Sequence, residues 1–282
     1  MIRVSCLTKK FGNKTAVNNL SFNIDTGLIY GLLGPNGAGK TTTFRMLVTL
    51  LKPDSGNIEI NNKEISRDNV DIKKMIGMVS QHFSMHNEMS VWEIMELHGR
   101  LHSINKEVRR ERIDELLKFA DLYEERDKIA KKLSGGMKRK LMIMRAILHK
   151  PRILFLDEPT VGLDPLSRRN IWFLLEKLRD EGITIILTTH YIEEAEKLCD
   201  KVLLINHGQK IMEGVPKDLI LSTGEYTVEV FRNIDPEYYF FKSKKEALDF
   251  TANIESKYVV RKSSLEDVFI EINKEEGVSF GF

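Results

Sequence analysis

Leu20, Phe22 and Ile24 alternate with polar neighbours, and Ile58 and Ile60 do the same against Asn57, Glu59 and Asn61. A period of two turns one face of each segment toward a core, so the N-terminal part is predicted to be a β-rich unit buried on one side. Between these segments the run Leu28, Ile29, Tyr30, Leu32 and Leu33 is apolar throughout, as in a fully buried strand, and Thr42 to Leu51 reads as a helix. From about Val91 to Ala120 the period changes, and Ile113, Leu116, Leu117 and Ala120 mark an amphipathic helical section. Short β-type runs return at 153–156, 183–187 and 202–205, with a helix carrying Ile171, Leu174, Leu175 and Leu178 between the first two. Strands alternating with helices imply right-handed crossovers and a mostly parallel sheet. Around Ser222-Thr223-Gly224 the pattern restarts: Tyr226, Val228 and Val230 alternate against Thr227 and Glu229. A last helix opens at Ser264-Leu265-Glu266-Asp267 with Leu265, Val268, Phe269 and Ile272 on one face.

The 282 residues suffice for one large domain or two smaller ones. Lys plus Arg (43) nearly balances Asp plus Glu (41), so no global field argues for a nucleic-acid partner. Cys6 and Cys199 stand alone without metal-type spacing, which points to a reducing interior. No apolar stretch approaches the roughly eighteen residues needed to cross a bilayer, and the opening Met-Ile-Arg-Val-Ser lacks a signal-peptide core. The chain is therefore expected to reach a membrane only through a partner.

Gly34-Pro35-Asn36-Gly37-Ala38-Gly39-Lys40-Thr41 matches G-x-x-x-x-G-K-[ST] between the apolar strand and the helix. Glycines let the backbone turn its amides inward, the helix start adds positive potential, and Lys40 is expected to reach the β- and γ-phosphates of a nucleoside triphosphate. The Thr41 hydroxyl is then placed to ligate magnesium. A second anion-seeking helix start lies at Leu133-Ser134-Gly135-Gly136-Met137. The apolar run 153–156 ends in Asp157 and Glu158, a carboxylate pair at the edge of a parallel sheet where ligands bind. Asp157 is expected to hold magnesium through water, and Glu158 to polarise the water that attacks the γ-phosphate.

With these motifs in order, the chain resembles the ATP-binding subunits of ATP-binding-cassette (ABC) transporters from about Met1 to Leu221. The shared features are GPNGAGKTT, which adds Thr42, then Gln81 after a strand, LSGGM at 133–137, ILFLDEP at 153–159, GLD at 162–164 and His190 closing LTTH. The resemblance implies a P-loop NTPase core with a mostly parallel sheet. It adds an N-terminal antiparallel β subdomain and a helical subdomain at about 85–150, within an ATPase unit 1–220. Residues 221–282 would form a small α+β C-terminal extension, regulatory or dimer-supporting.

Carried over residue by residue, Phe11 stacks on adenine, Gln81 touches the metal and senses the transporter, and His190 contacts the γ-phosphate. Ser134, Gly135 and Gly136 close over ATP held by a second copy, because the two phosphate-seeking helix starts are separated by a whole helical section. A transmembrane permease is the implied partner, meeting the segment Phe83 to Leu101 with its Met85, Met89, Met95 and Trp92. A helix–helix contact is the alternative account of Trp92, Met95 and Gly99. The implied cofactors are ATP and Mg2+, and the implied location is the cytoplasmic face of the membrane, peripheral to it. Phe stands at position 11 where the family usually has Tyr, and Met137 replaces the Gln that usually ends the signature. LSGGMKRK, VGLDP with Arg168, Arg169 and Trp172, and the terminal SLEDVF resemble the branch serving ABC-2-type exporters.

His98 and His102 stand four apart, as do His82 and His86, but neither pair carries the Glu of an HExxH metal site. They are read as exposed or packing histidines. The basic cluster Lys131, Lys132, Lys138, Arg139 and Lys140 is assigned to triphosphate charge. A soluble ABC ATPase of translation or DNA repair would carry two cassettes or a long coiled coil, and neither is present; a GTPase would carry N-K-x-D, also absent.

Overall fold

The computed structural model describes residues 1–66, 68–81, 86–232 and 236–276. The N-terminal alternation becomes β1 (Ile2–Phe11) and β2 (Lys14–Ile24), paired antiparallel from Ile2 opposite Ile24 to Phe11 opposite Lys14. The apolar β3 (Ile29–Leu33) is buried along its whole length and leads through the glycine-rich loop into α1 (Lys40–Leu47). This helix stops short of the expected Leu51. Thr49 turns left-handed (φ 62°), and the Leu50 and Leu51 amides both donate back to the Arg45 carbonyl, a chain reversal that satisfies an orphan helix-end acceptor. β4 (Ser55–Ile60) and β5 (Lys63–Glu64) complete an antiparallel sheet in the order β2-β1-β4-β5.

After α2 (Val70–Lys74) and β6 (Ile76–Val79) comes the helical section. Its first stretch is two helices, α3 (Val91–Leu101) and α4 (Lys106–Phe119), divided where Ser103 takes φ 55° and Asn105 caps α4 by accepting from the Glu107 amide. Ser90 and Glu93 form a reciprocal capping box at the start of α3. α5 (Gly135–Ile147) begins on Ser134, whose Oγ accepts from the Met137 amide at 3.2 Å.

β7 (Ile153–Asp157), α6 (Pro165–Asp180), β8 (Thr184–Thr189), α7 (Ile192–Leu198), β9 (Lys201–Asn206) and β10 (Gln209–Gly214) finish the central sheet, ordered β10-β9-β3-β8-β7-β6. Its neighbours are parallel except for the β9–β10 pair. Both faces are covered, which explains the unbroken apolar runs. Tyr30, Leu32, Phe155 and Leu203 pack with α1 and the antiparallel sheet, whereas Ile29, Leu33, Leu156 and Leu204 pack with the helical section and α6. The expected α/β class with a mostly parallel sheet is present.

The tail comprises α8 (Pro216–Thr223), β11 (Tyr226–Phe231), β12 (Glu237–Phe241), α9 (Lys244–Thr251), β13 (Lys257–Lys262) and α10 (Leu265–Glu276). Its sheet, ordered β12-β11-β13, has a small core of Val228, Val230 and Ala247. Thr227, expected on the polar face, is buried with its hydroxyl 2.8 Å from that of Ser263. α10 leaves this unit: Leu265, Val268 and Phe269 join the main core beside α7 and α8, and the Leu265 amide donates to Glu196 Oε2 at 3.2 Å.

Candidate nucleotide and catalytic site

The strand order explains how distant motifs meet. β3, β8, β7 and β6 are consecutive and parallel, so the segments leaving their C-terminal ends share one edge of the sheet. These are, in spatial order, the loop 34–41, His190, the Asp157–Glu158 pair and Gln81, whereas the chain runs 34–41, 81, 157–158, 190.

The loop is held by contacts that only glycine permits. Gly39 has φ 105°, and a Cβ there would meet the Ala16 carbonyl oxygen at 2.5 Å; one on Gly34 would meet the Ile205 oxygen at 2.2 Å. Lys40 is buried, and its Nζ donates to the Gly34 and Pro35 carbonyls at 2.7 and 3.0 Å. An ammonium has three protons, so one remains for a ligand. Burial lowers the Lys40 pKa, and the charges of Glu158 and Asp157 work against that lowering.

Asp157 and Glu158 are both buried, and Thr188 links them. Its hydroxyl donates to Asp157 Oδ1 at 2.6 Å and accepts from the Glu158 amide at 3.0 Å, as the direct register of Asp157 opposite Thr188 requires. Burial raises the Asp157 carboxyl above its ordinary range, the Thr188 hydrogen bond pulls it down, and the Glu158 charge raises it again. Glu158 itself is left-handed (φ 47°), a conformation uncommon for a non-glycine residue. His190 Nδ1 lies 3.1 Å from Glu158 Oε2, within ion-pair distance but not aligned as a hydrogen bond.

A cleft of about 270 Å³ lies along the loop, lined by Phe11, Lys14, Ala16, Asn36, Gly37, Gly39, Lys40, Thr41, Thr42 and Glu158. Phe11 is 52% exposed rather than packed in the core, with the Lys9 ammonium 5.7 Å from its ring centroid. Lys14 and Ala16 are lining residues that no sequence motif marks.

Ser134, Gly135 and Gly136 do not line the cleft. Ser134 and Gly135 are exposed, and the Ser134 oxygen is engaged as the α5 cap. A Cβ on Gly136 would meet Ser167 Oγ at 2.8 Å, so the signature abuts the start of α6. The Met137 side chain packs on the main core, a role in which a thioether suits better than an amide.

Other sequence readings are redistributed. Met95 is fully buried, Trp92 and Met89 pack on the same core, and a Cβ on Gly99 would strike Arg109. Among the described residues of this segment Met95 and Gly99 therefore serve helix packing, while Met89 and Trp92 are partly buried against the same core. Phe83, Met85 and His82 lie outside the described residues. The basic cluster divides: Arg139 is buried and donates to the Ser80 carbonyl at 3.3 Å, while Lys140 donates to the Ala120 carbonyl at 2.9 Å, so these two are structural cations. Trp172 donates through Nε1 to Glu194 Oε1 at 2.9 Å, and Thr160 donates to the same oxygen at 2.8 Å. Glu194, fully buried and with its pKa raised by burial, carries no local sequence signal of its importance.

Comparison with known proteins agrees with this geometry. The ABC transporter family matches residues 17–161. The daunorubicin resistance ATP-binding protein DrrA3 of Streptomyces coeruleorubidus is 39% identical over 229 residues, covering 81% of this chain and 72% of that protein. The Nod factor export ATP-binding protein I of Cupriavidus metallidurans is 37% identical over 298 residues, covering 98% of each. Among solved structures, a dimeric ATP-binding cassette in a post-hydrolysis state with ADP and phosphate superposes with a TM-score of 0.68 at 30% identity. That match covers 76% of this chain and 98% of that one.

Proposed function

The chain belongs to the ABC transporter family, and on that footing we propose how its residues hold ATP, cleave it and pass the work on. It is an ATP-binding and ATP-hydrolysing subunit that powers an ABC transporter. In our reading Phe11 stacks on the adenine, and the loop from Gly34 through Pro35, Asn36, Gly37, Ala38 and Gly39 to Lys40, Thr41 and Thr42 wraps the phosphates. The remaining Lys40 proton meets the β- and γ-phosphate oxygens. Thr41, Gln81 and Asp157 form an oxygen-only donor set of the kind magnesium prefers. A magnesium ion held by these residues would supply positive charge to offset that of the phosphates. Glu158 accepts the proton of the attacking water, and His190, beside it, contacts the γ-phosphate.

The observation that carries this reading is the shared C-terminal edge of β3, β8, β7 and β6, which brings Lys40, His190, Asp157, Glu158 and Gln81 to one side of the sheet. The decisive measurement is ATP turnover by Glu158→Gln. Phosphate release should fall at least about tenfold, while gel filtration with ATP and Mg2+ shows a dimer accumulating. Unchanged turnover would remove Glu158 from its role.

The exposed Ser134 and Gly135, outside the cleft with Gly136, support a head-to-tail dimer in which they close over ATP on a second copy or a homologous subunit. The dimeric state of the related ADP- and phosphate-bound cassette points the same way. Among the described residues no helix is long and apolar enough to cross a membrane; in our reading a transmembrane permease carries the translocation, with this subunit peripheral at the cytoplasmic face. Similarity to a Nod factor export subunit over nearly the whole chain favours export through an ABC-2-type system. We divide the chain into an ATPase unit 1–220, with a helical subdomain at about 85–150, and an extension 221–282 whose final helix returns to the ATPase core.

A further inference from the structure

The histidine pair set aside in the sequence acquires a third member in the fold. His98 and His102 leave the end of α3, and His149, which follows α5, comes to lie beside them. One ring nitrogen from each lies within 4.8 Å of the other two. The His102 and His149 rings stack with centroids 4.0 Å apart, and the His98 centroid is 4.6 Å from that of His102.

The hydrogen bonding of His149 is more telling than the proximity. Its Nε2 lies 3.0 Å from the Ile76 carbonyl oxygen. A carbonyl can only accept, so Nε2 carries the proton and Nδ1 is left with its lone pair. That Nδ1 is buried and has no hydrogen-bond partner. One nitrogen tied to a backbone carbonyl and the other presenting a lone pair is the arrangement of a metal-ligating imidazole.

From this geometry we propose that His98, His102 and His149 form a binding site for a divalent cation of the zinc class. Three imidazoles with water as a fourth ligand is an established zinc coordination, and imidazole also suits neighbouring late first-row ions. Nitrogens about 2.0–2.1 Å from zinc in a tetrahedron stand roughly 3.3 Å apart, so from separations of up to 4.8 Å the nitrogens close by up to about 1.5 Å and the rings leave their stacked arrangement on binding. His102 is exposed and provides the route of entry. Burial pushes His98 down to about 3 and lowers His102 and His149 as well, which keeps the lone pairs open to metal at neutral pH. The Arg145 charge also acts on His98 and opposes a cation, so the affinity is moderate. Glu96 is not available as a fourth ligand, because it is held by Arg109 and Arg100. Because His149 is anchored to Ile76 at the start of β6, a bound ion would tie the end of α3 to the edge of the central sheet.

The test uses the full, tag-free chain without nucleotide or magnesium, titrated with Zn2+ against a chromophoric chelator and followed by thermal unfolding. The expected result is one saturable equivalent per chain, an upward shift of the unfolding midpoint, and no displacement by excess Mg2+. His102→Ala, at an exposed position, and His98→Ala should each weaken binding about tenfold or more and abolish the shift, whereas His86→Ala and His207→Ala keep both. Cobalt in place of zinc should give visible absorption in the wild type that is lost in His102→Ala. Absence of a saturable equivalent in the wild type overturns the proposal, as does an equivalent that survives both His98→Ala and His102→Ala.

Discussion

Asp157, the proposed magnesium-holding carboxylate, carries a stability cost at the residue scale. Burial lifts its carboxyl above the ordinary range, so the folded state holds a proton more tightly than the unfolded chain does. The contribution of this group to stability is therefore greatest at low pH. It falls as pH rises through the ordinary carboxylate range up to the raised folded value. Asp157→Asn keeps an oxygen that accepts from Thr188 and removes the buried charge. At pH 7 it should raise the midpoint of thermal unfolding by roughly 2–4 °C while abolishing magnesium-dependent ATP hydrolysis; a lowered midpoint contradicts the burial argument. Gly39 is limiting for the opposite reason. At φ 105° and with the Ala16 oxygen in the way, Gly39→Ala should cost about 1–3 kcal/mol and weaken ATP binding in a fluorescent-nucleotide titration. Lys40 and Glu158 were expected at the site from motifs with a chemical reason and Phe11 from the family resemblance, and all three line one cleft. Thr188 and Glu194 were not legible in this way, since their roles come from the strand and helix packed next to them.

At the scale of elements, periodicity located most of the strands and helices but not always their ends. α1 terminates early because the turn at Thr49 satisfies its last carbonyls, a backbone event with no hydrophobic signature. The alternation in β11 pointed to Thr227 as solvated, and its pairing with Ser263 buries it instead. α10 is the most consequential case. Its apolar face was evident, but which core it would complete was not, and it packs with α7 and α8 rather than on the small sheet that precedes it. Leu265→Ala should therefore destabilise the ATPase unit by about 2–4 kcal/mol, measured by denaturant unfolding. A loss confined to the tail sheet, with the unfolding of the ATPase unit unchanged, would show that α10 is not part of its core.

At the scale of the whole molecule, Ser134, Gly135 and Gly136 do not line the cleft along the phosphate loop, and under the proposed head-to-tail arrangement a complete ATPase site takes two copies. Mixing Lys40→Ala chains with Ser134→Arg chains, each inactive alone, should restore activity on the order of a quarter of wild type, because half of random pairs then hold one intact site. No recovery, in a mixture shown to pair, would argue that each chain works alone. The sequence by itself determined the class of fold and the chemistry, because a phosphate loop, a strand ending in two acids and a glycine-rich helix start are local patterns whose physics is complete within a few residues. The spatial order of those motifs, the burial of Arg139 and Met95, the docking of α10 and the meeting of His149 with His98 and His102 were decided only by the tertiary structure. Each depends on which strand lies beside which and which helix crosses over it, and such long-range neighbours leave no trace in local periodicity.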